Sequence, residues 1–71
     1  MIAMSYKKLW KLLIDKNISK TELSNITKLS KSTIAKLTKN QNVNTNVLVR
    51  ICECLNCDLE EIVEIKRGDN L

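Results

Sequence analysis

Residues 20–37 read KTELSNITKLSKSTIAKL, and the spacing of apolar side chains in this stretch decides the fold. Ser19 stands three residues before Glu22, the separation at which a hydroxyl and a carboxylate cap each other's backbone donors, so a helix is expected to open near Lys20. Leu23, Ile26 and Thr27 are its inward positions. It must stop soon, because Ser30 followed by Lys31, Ser32 and Thr33 opens another helix whose apolar members are Ile34 and Leu37. Two short helices therefore meet at a tight turn, with Leu29 plugging the angle between them. Helices that cross at about 90–120° touch only near the crossing, so a few inward positions suffice and the other faces of the second helix project outward.

Upstream, Tyr6, Leu9, Trp10, Leu13 and Ile14 repeat at helical spacing behind Ser5 as an N-cap, and Asn17 supplies a left-handed exit. Met1 to Met4 carry no readable pattern. Downstream, Thr38 to Asn46 is polar and rich in Asn, which marks an exposed loop. Asn44 or Thr45 then caps a fourth helix bearing Val47, Leu48, Ile51, Cys52 and Leu55, with Asn56 as its C-cap. A fifth, brief helix is expected after Asp58, with Leu59, Ile62 and Val63 inward and Glu60 and Glu61 in its first turn, where the helix dipole favours anions. Residues 66–71 read as a frayed tail. The expectation is an all-α, compact five-helix domain spanning residues 1–71, since a chain this short buries only about 60% of its unfolded surface and cannot divide it into two cores.

The net charge of +4 is unevenly spread. Residues 1–51 hold ten Lys or Arg against Asp15 and Glu22, whereas from Cys52 onward six acids face Lys66 and Arg67. A basic body with an acidic end predicts a polyanionic partner on one face. With no His, two aromatic residues and no carboxylate cluster in an apolar setting, the chain lacks the usual parts for acid–base or nucleophilic catalysis, and an enzyme is not expected. Cys52, Cys54 and Cys57 form C-x-C-x-x-C without a His to complete a metal set, so neither metal nor cofactor is expected, and the thiols read as buried or half-buried. No signal peptide and no apolar run of about 20 residues is visible, which predicts a cytoplasmic protein without membrane attachment.

The outward residues of the helix after Ser30 are Lys31, Ser32, Thr33 and Lys36, all hydrogen-bond donors, and no acid occurs between Leu23 and Cys52. The major groove of B-DNA admits one helix, whose N-terminal residues reach base edges; Lys donates to guanine O6 and N7, and Ser or Thr pairs with several bases. Ser30, as N-cap, leaves backbone N–H groups suited to a phosphate.

The run Leu23 to Leu37, LSNITKLSKSTIAKL, resembles the helix-turn-helix of lambda-repressor-like, or Xre-type, regulators, whose usual form is L-A-x-x-x-G-V-S-x-x-x-I-x-x-L. Tyr6 to Ile14, Ser32 to Lys36 and Val47 to Ile65 are similar to the small stand-alone bacterial Cro/cI-type regulators. The resemblance implies a five-helix domain with its helix-turn-helix over residues 20–37 and its third helix in the major groove. It implies base contacts by Lys31, Ser32 and Lys36 with Thr33 beside them, and phosphate contacts by Lys20, Lys39, Asn40 and Asn42. Three positions depart from the pattern. Lys28 stands at the usual turn glycine, where left-handed backbone would cost about 1 kcal/mol; Ser24 replaces a small Ala; and Asn40 replaces the common glycine after the third helix.

The function expected is sequence-specific binding of double-stranded DNA as a transcriptional regulator, in the repressor sense. A single domain contacts too few base pairs to be selective, so a homodimer on a palindromic operator is expected, with no small-molecule ligand evident. The competing reading is a protein-interaction module, an antitoxin or anti-repressor, that uses the same fold and its acidic end to cover a partner. A thiol or metal sensor ranks last, because Cys52 and Cys54 point to different sides of a helix.

Overall fold

The computed structural model of the protein describes residues 2–67. Its order is β1 (Ile2–Ser5), α1 (Lys7–Lys16), α2 (Lys20–Thr27), α3 (Lys31–Thr38), α4 (Thr45–Leu55), a 3₁₀ turn at Leu59–Glu61, and β2 (Glu64–Arg67). Four helices form, and the expected all-α, five-helix architecture is corrected in two places. The fifth helix is a single 3₁₀ turn: Asp58 N–H donates to the Glu61 carboxylate at 2.7 Å, but the chain then enters Ile62, Val63 and Ile65, β-branched residues that favour strand. The chain ends also pair. β1 and β2 run antiparallel with Ile2 opposite Arg67, Ala3 opposite Lys66, Met4 opposite Ile65 and Ser5 opposite Glu64. Lys66 and Arg67 therefore lie in a strand and not in a frayed tail, while residues 68–71 fall outside the described residues.

The helix ends follow the local chemistry of the sequence. Ser19 Oγ accepts from Glu22 N–H at 3.1 Å while Glu22 Oε1 accepts from Ser19 N–H at 3.0 Å, the reciprocal cap expected for α2. Ser30 Oγ caps α3 through Thr33 N–H at 3.2 Å, and Asn44 Oδ1 caps α4 through Asn46 N–H at 2.8 Å. Asn17 and Asn56 both adopt left-handed backbone at the ends of α1 and α4. At the first of these, Ile18 N–H reaches back to Leu13 C=O at 2.9 Å, satisfying a carbonyl the helix leaves free. The cap expected of Ser5 does not form: Tyr6 occupies that position with no side-chain bond to the helix, and Ser5 is buried next to it with Lys7 N–H donating to its Oγ at 3.3 Å.

Between α2 and α3 the turn is made by Lys28 at φ 59°, ψ 27°, the left-handed region that glycine enters freely and a Cβ resists. Its side chain is exposed. Lys28→Gly is therefore expected to stabilise the domain by about 0.5–1 kcal/mol and to raise Tm by roughly 4 °C. A calorimetric Tm that falls on this substitution contradicts the account of the turn.

Tyr6, Leu9 and Leu13 of the first segment, Leu23, Ile34 and Leu37 of the crossed pair, Leu48, Ile51 and Leu55 of α4, and Ile62 form one buried core. Leu29 packs against it half-buried from the α2–α3 turn, and Thr27, fully buried, donates its hydroxyl to Leu23 C=O at 2.6 Å. Three residues expected inside are not. Ile14 is 77% exposed, Ile26 47% and Leu59 49%. Ile14 lies about 100° round the helix from Leu13, at the margin of the stripe, where no neighbouring element covers it. Among the described residues no helix is long and apolar enough to cross a membrane.

Candidate nucleic-acid interface

Ile34 and Leu37 point α3 into the core, and this fixes what the helix presents to solvent. At about 100° per residue, the side opposite them carries Ser32, Ala35, Lys36 and Lys39, at i, i+3, i+4 and i+7. All four are exposed. Of the residues expected to meet bases, Ser32 and Lys36 thus share the outermost stripe. Lys31, also exposed, is displaced toward α2, where it lines a groove of about 170 Å³ with Lys20, Thr21, Ser24, Asn25 and Ile34. Thr33 is displaced the other way and is half-buried, its Oγ1 3.0 Å from Ser30 Oγ. Ser32 Oγ also lies 3.0 Å from Ser30 Oγ, so the three hydroxyls at the head of α3 are held as a cluster. Ala35 was not singled out by sequence reasoning, although its place between Ser32 and Lys36 on a helical stripe was the available signal. Its methyl group suits apolar contact with a thymine methyl.

The residues expected at phosphates divide by how firmly the fold holds them. Lys20 is fixed at the start of α2: its ammonium sits 4.5 Å above the centre of the Trp10 ring and donates to Thr38 Oγ1 at 3.4 Å, tying α1, α2 and the end of α3 together. Lys39 is exposed, with its backbone N–H closing the last turn of α3. Asn40 accepts the left-handed conformation at φ 57° in place of a glycine, and its Oδ1 accepts from Tyr6 N–H at 3.1 Å. The adjacent Tyr6 hydroxyl donates to Gln41 C=O at 2.8 Å, so the loop after α3 is pinned at two points to the start of α1; burial pushes the Tyr6 phenol pKa up. The path of this loop is thereby set without glycine, and Asn40 spends its carbonyl oxygen on the fold. Asn42 lies exposed beyond it, and Ser30 stays at the α3 cap.

Acids gather elsewhere. Glu60 and Glu61 border a groove with Lys8, Lys11 and Asp15, and Glu53 and Asp58 border another beside α4. Two of the cysteines, Cys52 and Cys57, line that second groove. Cys52 and Cys57 are half-buried and Cys54 is exposed, its thiol donating to Ile26 C=O at 3.3 Å. Burial pushes the Cys57 thiol up to about 11, with Cys52 and Glu61 adding to the effect and Lys16 opposing it. At neutral pH such a thiol stays protonated and is a poor nucleophile or metal ligand. Among the described residues no group of three His, Cys, Asp or Glu side chains is placed to hold a metal ion.

A helix-turn-helix with an exposed, acid-free second helix defines a class of DNA-binding domain, and comparison with known proteins agrees. Residues 8–67 match the family described as the Cro/C1-type helix-turn-helix DNA-binding domain. The chain belongs to that family. Among solved structures it is similar to the crystal structure of the transcriptional regulator VanUg, Form II, with 52% sequence identity, a TM-score of 0.91, and coverage of 94% of this chain and 89% of that one. No curated protein matches it.

Proposed function

We propose that this protein is a sequence-specific transcriptional regulator that lays α3 in the major groove of duplex DNA and acts as a repressor by occupying its operator. The observation that carries this reading is the stripe Ser32, Ala35, Lys36 and Lys39 on the face of α3 opposite its buried residues, exposed and without an acid. Ser32 and Lys36, with Lys31 and Thr33 at the flanks, meet base edges, while Lys20, Lys39 and Asn42, the free amide nitrogen of Asn40 and the head of α3 at Ser30 meet phosphates. The family match and the 52% identity to a transcriptional regulator support the same conclusion. Residues 1–71 work as one binding domain in the cytoplasm, without cofactor or catalysis, and two copies bind a palindrome.

Selection of bound sequences from random duplexes tests this. An enriched inverted repeat with half-sites about 10 base pairs apart is expected. Recovery of unenriched sequence contradicts it. That result would favour the antitoxin or anti-repressor reading, for which the supporting feature is the acid-bordered apolar groove of Leu48, Val49, Cys52 and Leu59.

A further inference from the structure

The pairing of the chain ends brings a basic residue of β2 to the same side of the molecule as α3. Lys66, opposite Ala3 in the hairpin, lines an open groove of about 510 Å³ together with Lys7 from α1, Lys39 from the end of α3, and the side chains of Trp10 and Thr38. The lysines come from three elements far apart in sequence, and among the described residues no acid lines the groove. Glu64, two residues earlier on the same face of β2, pairs with Ser5 and is not part of the lining. Trp10 and Thr38 are also the two partners of the Lys20 ammonium, and Lys20 in turn shares the neighbouring groove with Lys31. Lys20 is thereby held, through Trp10 and Thr38, beside the groove that Lys7, Lys39 and Lys66 line.

Cations crowded around one groove repel one another, and a row of them matches the regular line of charge along a sugar–phosphate backbone. We infer that Lys7 and Lys66 form a second phosphate-holding station, in which the terminal hairpin grips the DNA backbone next to the segment that Lys20 and Lys39 hold. The inference rests on the DNA-binding reading and extends the contact surface beyond the helix-turn-helix. It also gives the hairpin a role in binding: β1 pins β2 so that Lys66 is presented at a fixed place.

The test is a salt titration of the full chain on a random-sequence duplex of about 30 base pairs, long enough to extend past a half-site. Lys7→Gln and Lys66→Gln are each expected to lower the slope of log affinity against log salt by about 0.9, so that between about 50 and 200 mM salt the wild type loses roughly threefold more affinity than either variant. Lys11→Gln removes the same charge beside Asp15, Glu60 and Glu61 and is expected to keep the wild-type slope. Lys66→Arg should keep it too; if Lys66→Arg fails as Lys66→Gln does, charge is not the cause and the inference is overturned. Wild-type slopes for Lys7→Gln and Lys66→Gln, with lowered slopes for Lys20→Ala and Lys39→Ala, overturn the second station and leave the DNA reading standing. Wild-type slopes for all four remove both.

Discussion

Leu37→Ala is expected to cost about 2–5 kcal/mol and to leave much of the population unfolded at physiological temperature. Leu37 is fully buried where α3 crosses α2, in contact with the cluster that includes Leu23 and Ile34, and truncation there removes apolar contacts and opens a cavity that short, cross-braced helices can close only in part. At roughly 0.05–0.15 kcal/mol per residue, a domain of this length has only about 4–11 kcal/mol in total. The loss is thus a large share of the whole. Ile14→Ala supplies the contrast: Ile14 is 77% exposed, and its truncation is expected to change stability by less than about 0.5 kcal/mol. Urea titrations followed by far-UV circular dichroism measure both. Equal midpoints for Leu37→Ala and wild type would show that the register of α3 is wrong, and the outward stripe of Ser32, Ala35, Lys36 and Lys39 would be wrong with it.

What the sequence made legible was the chemistry that acts within a few residues. The reciprocal cap of Ser19 and Glu22, the Ser30 cap, and the left-handed exits at Asn17 and Asn56 depend on neighbours one turn away and are found where the residue pattern puts them. The crossed pair was legible for a related reason, because Leu23, Ile34 and Leu37 have a spacing that few other arrangements bury. Failures occurred where a residue's state depends on distant chain. Ile14, Ile26 and Leu59 have the hydrophobicity of core residues, but whether a helix edge is covered is decided by the neighbouring elements and not by its own period. The hairpin was invisible because strands of four residues are too short to show alternation, and their partners lie at opposite ends of the chain.

The same division applies to the candidate site. Ser32 and Lys36 could be placed on one face from helical spacing alone. That Asn40 turns its oxygen to Tyr6, 34 residues away, and that Lys66 arrives beside Lys7 and Lys39, could not be read before the fold had brought them together.

Reading and holding are assigned to different lysines, and the two groups are expected to fail differently when truncated. Lys36 sits on the outermost stripe of α3 and Lys31 at its first position, so Lys31→Ala or Lys36→Ala should cost about 1–3 kcal/mol at the preferred operator and relax preference at one base position each, with little effect on random DNA beyond the lost charge. Lys20, braced over Trp10, and Lys39, at the end of α3, are placed to meet the backbone, which is the same in every sequence. Lys20→Ala or Lys39→Ala should weaken operator and random DNA alike and lower the salt slope by about one unit. The decisive measurement is therefore a set of binding titrations of these four variants on the selected operator and on a random duplex, each at several salt concentrations. The account predicts lost discrimination with a nearly unchanged slope for the α3 pair, and retained discrimination with a lowered slope for Lys20 and Lys39. Full sequence preference in the Lys31 and Lys36 variants, together with lost preference in the Lys20 and Lys39 variants, would contradict the claim that α3 is the element that reads DNA.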